Sequence, residues 1–251
     1  MPELLVGRRA LVTGAGRGMG PVIAKRLAAE GAAVALAYRS SQAGAAEVVK
    51  AITGQGGVAV AIQADLLEQA QADALIDRTV DALGGLDIVV NNAAGFGPAK
   101  LLQDSDWEDI AQEWEAVVKP VLTVTRAALP HLLQQRRGRI VNIAATLLQR
   151  PAVTYGAHAM AKAAVLAYTR TLAREVGPDG ITVNAVSPGM TLTEYSQSLP
   201  RAEQAAVRDR TPLRRLAEPE DVANAILFFC SPLADFVTGA NIAPDGGLAV
   251  L

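Results

Sequence analysis

Short runs of consecutive apolar residues alternate with helix-length stretches along the whole chain. That alternation constrains the fold more than any other feature. Residues 9–13, 34–38, 58–63, 86–91, 139–143 and 181–186 are apolar on both of the faces a strand would present. Such strands are buried on both sides, which happens when helices cover both faces of a parallel sheet. The intervening patterns predict helices over 19–30, 42–53, 68–83, 106–135, 155–175 and 219–230. Pro21 sits in the first turn of its helix, where a missing N–H costs little, and Gly31 ends that helix. Gly84 and Gly85 end the third. The long stretch 106–135 is expected to bend near Pro120. Residues 187–215 read as irregular or loosely helical, and 241–243 suit a last short strand. The expectation is an α/β protein with a doubly wound parallel sheet of about seven strands in three αβα layers, one domain over 1–251.

Composition narrows the function. Hydrophobic residues make up 51% of the chain, enough for a large core, and the net charge of −2 gives no basic surface for nucleic acid or anionic lipid. No apolar run is long enough to span a bilayer, and the start of the chain lacks the pattern of a secretory leader. The single Cys230 cannot form an internal disulfide. These features predict a soluble, cytoplasmic protein with no nucleic-acid or membrane partner. No metal ligands are assigned.

The segment Thr13-Gly14-Ala15-Gly16-Arg17-Gly18-Met19-Gly20 follows the first strand and opens the first helix. Glycines there let the backbone turn sharply and approach a pyrophosphate, while the helix start offers N–H groups and partial positive charge. The end of strand two, Ala37-Tyr38-Arg39-Ser40, carries no acid to hold an adenosine 2′-hydroxyl. Arg17 and Arg39 can both reach that region, and guanidinium pairs well with phosphate. The expected cofactor is NADPH rather than NADH. As ordinary surface residues, both arginines would be simply solvated.

The sequence resembles the short-chain dehydrogenase/reductase superfamily, a group of Rossmann-type enzymes, over its whole length. The resemblance rests on Thr13-Gly14-x3-Gly18-x-Gly20, Asp65, Asn91-Asn92-Ala93-Ala94-Gly95, Lys162, Asn184-Ala185-Val186-Ser187-Pro188-Gly189-x3-Thr193, and Asp245-Gly246-Gly247. It implies that Gly14, Arg17, Gly18, Met19 and Gly20 line the phosphates, with Arg39 and Ser40 on the 2′ side. Asp65, with Leu66, would meet the adenine, and Asn91 and Ala93 would pass beside the adenosine ribose. Lys162 would bind the nicotinamide-ribose hydroxyls. Pro188, Gly189, Thr191 and Thr193 would flank the carboxamide.

The chemical positions depart from the family. A typical member holds a ketone with a serine, protonates it with a tyrosine four residues before the lysine, and relays protons through an asparagine on the preceding helix. Here those places fall on Ala145, His158 and Val117. Only Lys162 remains, which puts ordinary carbonyl reduction in doubt. Tyr155, seven residues before Lys162, offers another phenol. At about 100° per residue, Tyr155, His158 and Lys162 fall within roughly 60° on one helix face. Such a face could equally be a partly buried one with snorkelling polar tips.

Tyr-x6-Lys resembles the NADPH-dependent enoyl-thioester reductases of the same superfamily, although that branch often has Met where this chain has His158. The resemblance implies hydride addition to the β-carbon of an α,β-unsaturated thioester, with the Tyr155 phenol bonding the oxygen that becomes negative. The acyl group would ride on CoA or a carrier protein. His158 fills space as a neutral residue, donates to the substrate oxygen, or works as an acid–base in a non-redox reaction. Thr146 could replace the missing serine, one residue late. Tyr195 and Phe96 are candidate substrate walls, and 192–210 suits a lid or an ordinary surface loop. His131 reads as structural. Three functions compete: a reductase of conjugated C=C bonds, a non-redox cyclase, isomerase or dehydratase using His158 and Tyr155, and a dinucleotide binder without catalysis. An atypical ketoreductase stands behind them. The family commonly forms tetramers through its two long helices, and Ala163, Ala164 and Ala167 would allow a homo-oligomer (dimer or tetramer) of that kind.

Overall fold

In a computed structural model, which describes residues 3–95, 97 and 99–249, seven strands form one parallel sheet in the order β3-β2-β1-β4-β5-β6-β7. The strands are β1 (Arg9–Thr13), β2 (Ala33–Tyr38), β3 (Ala59–Gln63), β4 (Ile88–Asn91), β5 (Gly138–Ile143), β6 (Ile181–Val186) and β7 (Asn241–Ile242). The helices are α1 (Gly20–Ala28), α2 (Gln42–Thr53), α3 (Gln69–Leu83), α4 (Trp107–Gln134), α5 (Gly156–Val176), α6 (Glu194–Ser198), α7 (Arg201–Arg210) and α8 (Pro219–Cys230).

Successive strand residues point to opposite faces, and each face has its own core. Ala10 and Val12 of β1 and Ile88 and Val90 of β4 pack with Ile23 and Leu27 of α1, Ile52 of α2 and Ile226 and Phe229 of α8. Leu11 and Val89, one residue out of phase, pack with Leu75 of α3, Leu132 of α4 and Leu172 of α5. The strands read as uniformly apolar because both faces are covered.

Strand order reverses at β1. The chain winds outward through β2 and β3, then returns to lay β4 against the other edge of β1, pairing Leu11 with Val89. The connections leave the carboxyl ends of β1 and β4 in opposite directions, which opens a crevice there.

The segment 187–215, expected to be irregular or loosely helical, contains two short helices, α6 and α7; one expectation, the start of α5, needs correction. Thr193 caps α6 reciprocally with Ser196, which supplies a helix start in a polar stretch. Tyr155 is not in α5 but is its N-cap, with φ −101° and ψ 17°.

Pro120 lies inside α4. It lacks the N–H that would bond the carbonyl one turn earlier, at Ala116. The Gly95 N–H takes that carbonyl instead, at 3.1 Å. A helix defect thus ties down the loop that follows β4, beside the crevice. Among the described residues, no helix is long and apolar enough to cross a membrane.

Candidate active site

The loop after β1 is built for close approach. Gly14 has φ +64°, and a Cβ there would lie 2.9 Å from the Ala93 Cα. A Cβ on Gly20 would lie 2.2 Å from the Gly14 carbonyl oxygen. The turn therefore excludes side chains at these positions and leads straight into α1, whose first N–H groups face the crevice end of the sheet. Thr13 ties the loop to the strand across the switch: its hydroxyl accepts the Asn92 and Ala93 N–H groups at 3.0 and 2.9 Å. The Asn92 side chain donates to the Thr13 carbonyl at 2.9 Å.

Arg17 and Arg39 are exposed. Among the described residues neither forms an ion pair, so both guanidiniums remain available to a phosphate. Ser40 is exposed beside Arg39, and Met19 is half-buried as the N-cap of α1. Asp65 is half-buried, and its carboxylate accepts the Leu67 N–H at 3.1 Å. The Leu66 carbonyl is held by the Thr123 hydroxyl at 2.7 Å.

The Asn91 side chain turns into the protein, away from the crevice. Its amide donates to Thr125 and to Asn142, and Asn142 donates to Thr169, a buried polar chain linking β4, β5, α4 and α5. The Pro188 carbonyl accepts from the Thr146 hydroxyl at 3.2 Å. That bond commits Thr146 to the β5–β6 junction. Gly189 packs against Asp245, and Thr191 is buried with its hydroxyl on the Gly189 carbonyl.

Lys162 lies one turn beyond His158 on α5 and is 5% exposed. Its Nζ donates to the Ile143 carbonyl, at the end of β5, at 2.7 Å. Burial lowers its pKa to about 8, and the negative charge of Glu113 partly opposes that shift.

Glu113 escaped the sequence reading. It projects from α4 and is 3% exposed; His158 is 7% exposed. His158 Nδ1 lies 2.5 Å from Glu113 Oε1. The other carboxylate oxygen accepts the Gly97 N–H, also at 2.5 Å. Burial pushes the Glu113 carboxyl up, but the bonds from His158 and Gly97 outweigh it and hold the group below its ordinary value. A signal for this residue existed. At spacings of four, Glu113, Val117 and Val121 share one stripe, and the two valines pack in the α4–α5 core. A carboxylate on a buried stripe needs a partner.

The shared face of Tyr155, His158 and Lys162 is split. His158 and Lys162 belong to the buried cluster with Glu113. The Tyr155 hydroxyl instead lies 3.0 Å from the Tyr195 hydroxyl on α6. Burial, then Tyr195 and the Glu203 charge, raise the Tyr155 pKa well above that of an ordinary phenol. Tyr155 is therefore a neutral hydrogen-bonding group. Thr154, just before it, holds φ +69°, a strained conformation for a β-branched residue. Val117 is fully buried and Ala145 half-buried, so neither supplies a polar side chain. Phe96 lies outside the described residues.

A crevice at the sheet switch point, a loop with no room for side chains at Gly14 and Gly20, and a buried lysine on α5 define a dinucleotide-binding enzyme fold. The comparisons agree. The family model described as enoyl-(acyl carrier protein) reductase matches residues 14–249. A 3-oxoacyl-[acyl-carrier-protein] reductase of Synechocystis is 37% identical, covering 98% of this chain and 98% of its own. A short-chain dehydrogenase of Burkholderia cenocepacia, solved in complex with NADP, superposes with a TM-score of 0.89. It is 39% identical over 98% of this chain and 99% of its own. A variant of a Serratia marcescens short-chain dehydrogenase/reductase gives a TM-score of 0.90 at 33% identity, over 99% of this chain and 100% of its own. The chain belongs to the short-chain dehydrogenase/reductase superfamily of NAD(P)-dependent oxidoreductases.

Proposed function

We propose that this protein is an NADPH-dependent reductase that saturates a C=C bond conjugated to a carbonyl or thioester. When bound, the reduced nicotinamide supplies hydride. The Gly14–Gly20 loop and the start of α1 would hold the pyrophosphate, and Arg17 and Arg39 the 2′-phosphate. Lys162 would move from the Ile143 carbonyl to the ribose hydroxyls and place positive charge beneath the reacting carbon. The NADP bound to the Burkholderia relative supports that choice of cofactor.

The observation that carries the reading is the state of Tyr155. Its hydroxyl is neutral and shared with Tyr195, and burial, followed by Tyr195 on α6 and the charge of Glu203 on α7, raises its pKa. It suits a hydrogen-bond donor to a substrate oxygen better than an activated proton donor. Position matters too. Tyr155 stands three residues before His158, roughly 4.5 Å along the helix axis. In a conjugated acceptor, the oxygen is two bonds further from the hydride-receiving carbon than it is in a ketone. A donor displaced by one turn matches a displaced oxygen.

A second reading is favoured by the names of relatives such as the Synechocystis enzyme: reduction of a 3-oxoacyl thioester, with His158 in place of the usual tyrosine. One assay separates them. NADPH oxidation is followed with enoyl-CoA esters and with 3-oxoacyl-CoA esters. The first reading expects turnover of the enoyl esters, reduced about 10²- to 10³-fold in Tyr155→Phe. Turnover of the 3-oxo esters alone, unaffected by that change, would establish the second.

The face of α5 away from the core presents Ala163 and Ala167, while Trp114 and Leu122 of α4 are partly exposed. We propose that these helices pair in a homo-oligomer. Light scattering coupled to gel filtration tests this, and a monomer at micromolar concentration would exclude it.

A further inference from the structure

We propose that Glu113 is a positioning residue that holds His158 as the proton donor completing the reduction. This inference rests on the reductase reading above and names the source of the proton that reading needs.

Two helices distant in sequence meet at this pair, and both side chains are more than nine-tenths buried. Neither is needed to fill the core. Replacing a buried ion pair with packed apolar residues is often neutral or stabilising, and the neighbouring valines show that this interface accepts them. A buried carboxylate is expensive unless its hydrogen bonds serve a purpose. Here both oxygens are engaged, one by His158 Nδ1 and one by the Gly97 N–H.

The geometry fixes the tautomer. An ionised carboxylate only accepts, so Nδ1 must carry the proton between them. Any proton that His158 gives or takes at the site then passes through Nε2. Among the described residues, Glu113 on α4 bonds the ring, and Lys162 one turn on and Tyr155 one turn back are ionisable neighbours along the chain. Lys162 donates to the Ile143 carbonyl and Tyr155 pairs with Tyr195, while the Lys162 and Glu113 charges attract one another.

The step balances. The β-carbon of the enoyl substrate receives the hydride of the reduced nicotinamide, and the C=C π pair moves to give an enolate. The enolate α-carbon then takes the Nε2 proton of doubly protonated His158: the Nε2–H bond breaks and the α-C–H bond forms. His158 is left neutral, its Nδ1–H still donating to the Glu113 carboxylate, and a proton from solvent restores Nε2–H. The net change is one hydride and one proton added across the double bond.

The test uses the full chain. Imidazole ¹⁵N NMR of the cofactor-free protein should find His158 Nδ1 protonated, and Glu113→Gln should shift the ring toward the Nε2–H form. With an enoyl-CoA substrate, Glu113→Gln should lower kcat on the order of 100-fold. NADPH affinity should stay within about threefold, since Glu113 bonds no cofactor group in this proposal. Glu113→Asp should recover part of the rate. His158→Gln should cost as much as Glu113→Gln, and the double variant no more than either, because the pair acts as a unit. An unprotonated Nδ1 in the wild type overturns the proposal, as does wild-type kcat in Glu113→Gln. If Glu113→Gln does not fold, the wild-type spectrum and His158→Gln still decide. Failure of the wild type to turn over any enoyl ester would refute the reductase reading itself, whereas the tautomer measurement needs no substrate.

Discussion

Lys162 should make the cofactor-free protein more stable as the solution becomes alkaline. Its ammonium is 5% exposed and bonds one carbonyl, and burial lowers its pKa from 10.5 to about 8. In the unfolded chain the group keeps the ordinary value. Between pH 8 and 10.5 the unfolded state therefore holds a proton that the folded state has lost, and stability rises with pH. Below pH 8 both states are charged and the full burial penalty applies. At roughly 1.4 kcal/mol per pKa unit, the penalty is about 3 kcal/mol. Tyrosine and lysine side chains of the unfolded chain also ionise in alkaline solution, so the informative quantity is a difference. Urea unfolding of wild type and Lys162→Met at pH 7 and pH 10.5 should show the variant more stable at pH 7. The gap should close by about 3 kcal/mol at pH 10.5. A gap independent of pH would mean that the ammonium is solvated or fully compensated, and the buried-cluster description would be wrong.

Three further outcomes are expected. The Glu194 carboxylate lies 3.2 Å from the Gly18 N–H, where it opposes an arriving phosphate. Glu194→Gln should tighten NADPH binding, by roughly two- to tenfold at low salt and less at high salt; fluorescence titration with unchanged affinity would refute this. Thr154→Gly should remove the strain at φ +69° and raise stability by about 1 kcal/mol in urea unfolding, while loosening Tyr155 and lowering kcat. Arg39→Asp should place an acid at the end of β2 and move the preference from NADPH toward NADH by at least about tenfold in the ratio of kcat/KM values.

The frame of the protein was legible because its causes are local. A strand covered on both faces must be apolar throughout, and a turn that admits no side chain must be glycine, as at Gly14 and Gly20. What escaped depends on partners far apart in sequence. Helical spacing alone puts Tyr155 on one face with Lys162. The partner of the Tyr155 hydroxyl is Tyr195, forty residues on, in a segment whose two helices the composition hid. Glu113 escaped for the same reason. Its partner is forty-five residues away, and the family pattern points instead to Val117, one turn further along the same stripe. Pro120 shows the converse. The sequence suggested a bend, and the structure shows that the freed Ala116 carbonyl receives the Gly95 N–H. The same loop brings the Gly97 N–H to Glu113.

That chain of dependence also bears on whether the protein could be a dinucleotide binder without catalysis. Such a protein would need the glycine loop and Lys162 but would gain nothing from Glu113. A buried carboxylate and imidazole between two helices costs desolvation that Leu or Met would not, and removing one member alone strands the other. The loop after β4, fixed through Pro120 and then through Gly97, satisfies the remaining carboxylate oxygen. One backbone N–H and an imidazole on another helix thus hold the acid, and a second N–H, on the carbonyl that Pro120 frees, holds the same loop. Binding alone gives no reason for that arrangement. A ring nitrogen held in one tautomer beside a buried ammonium is what proton transfer requires.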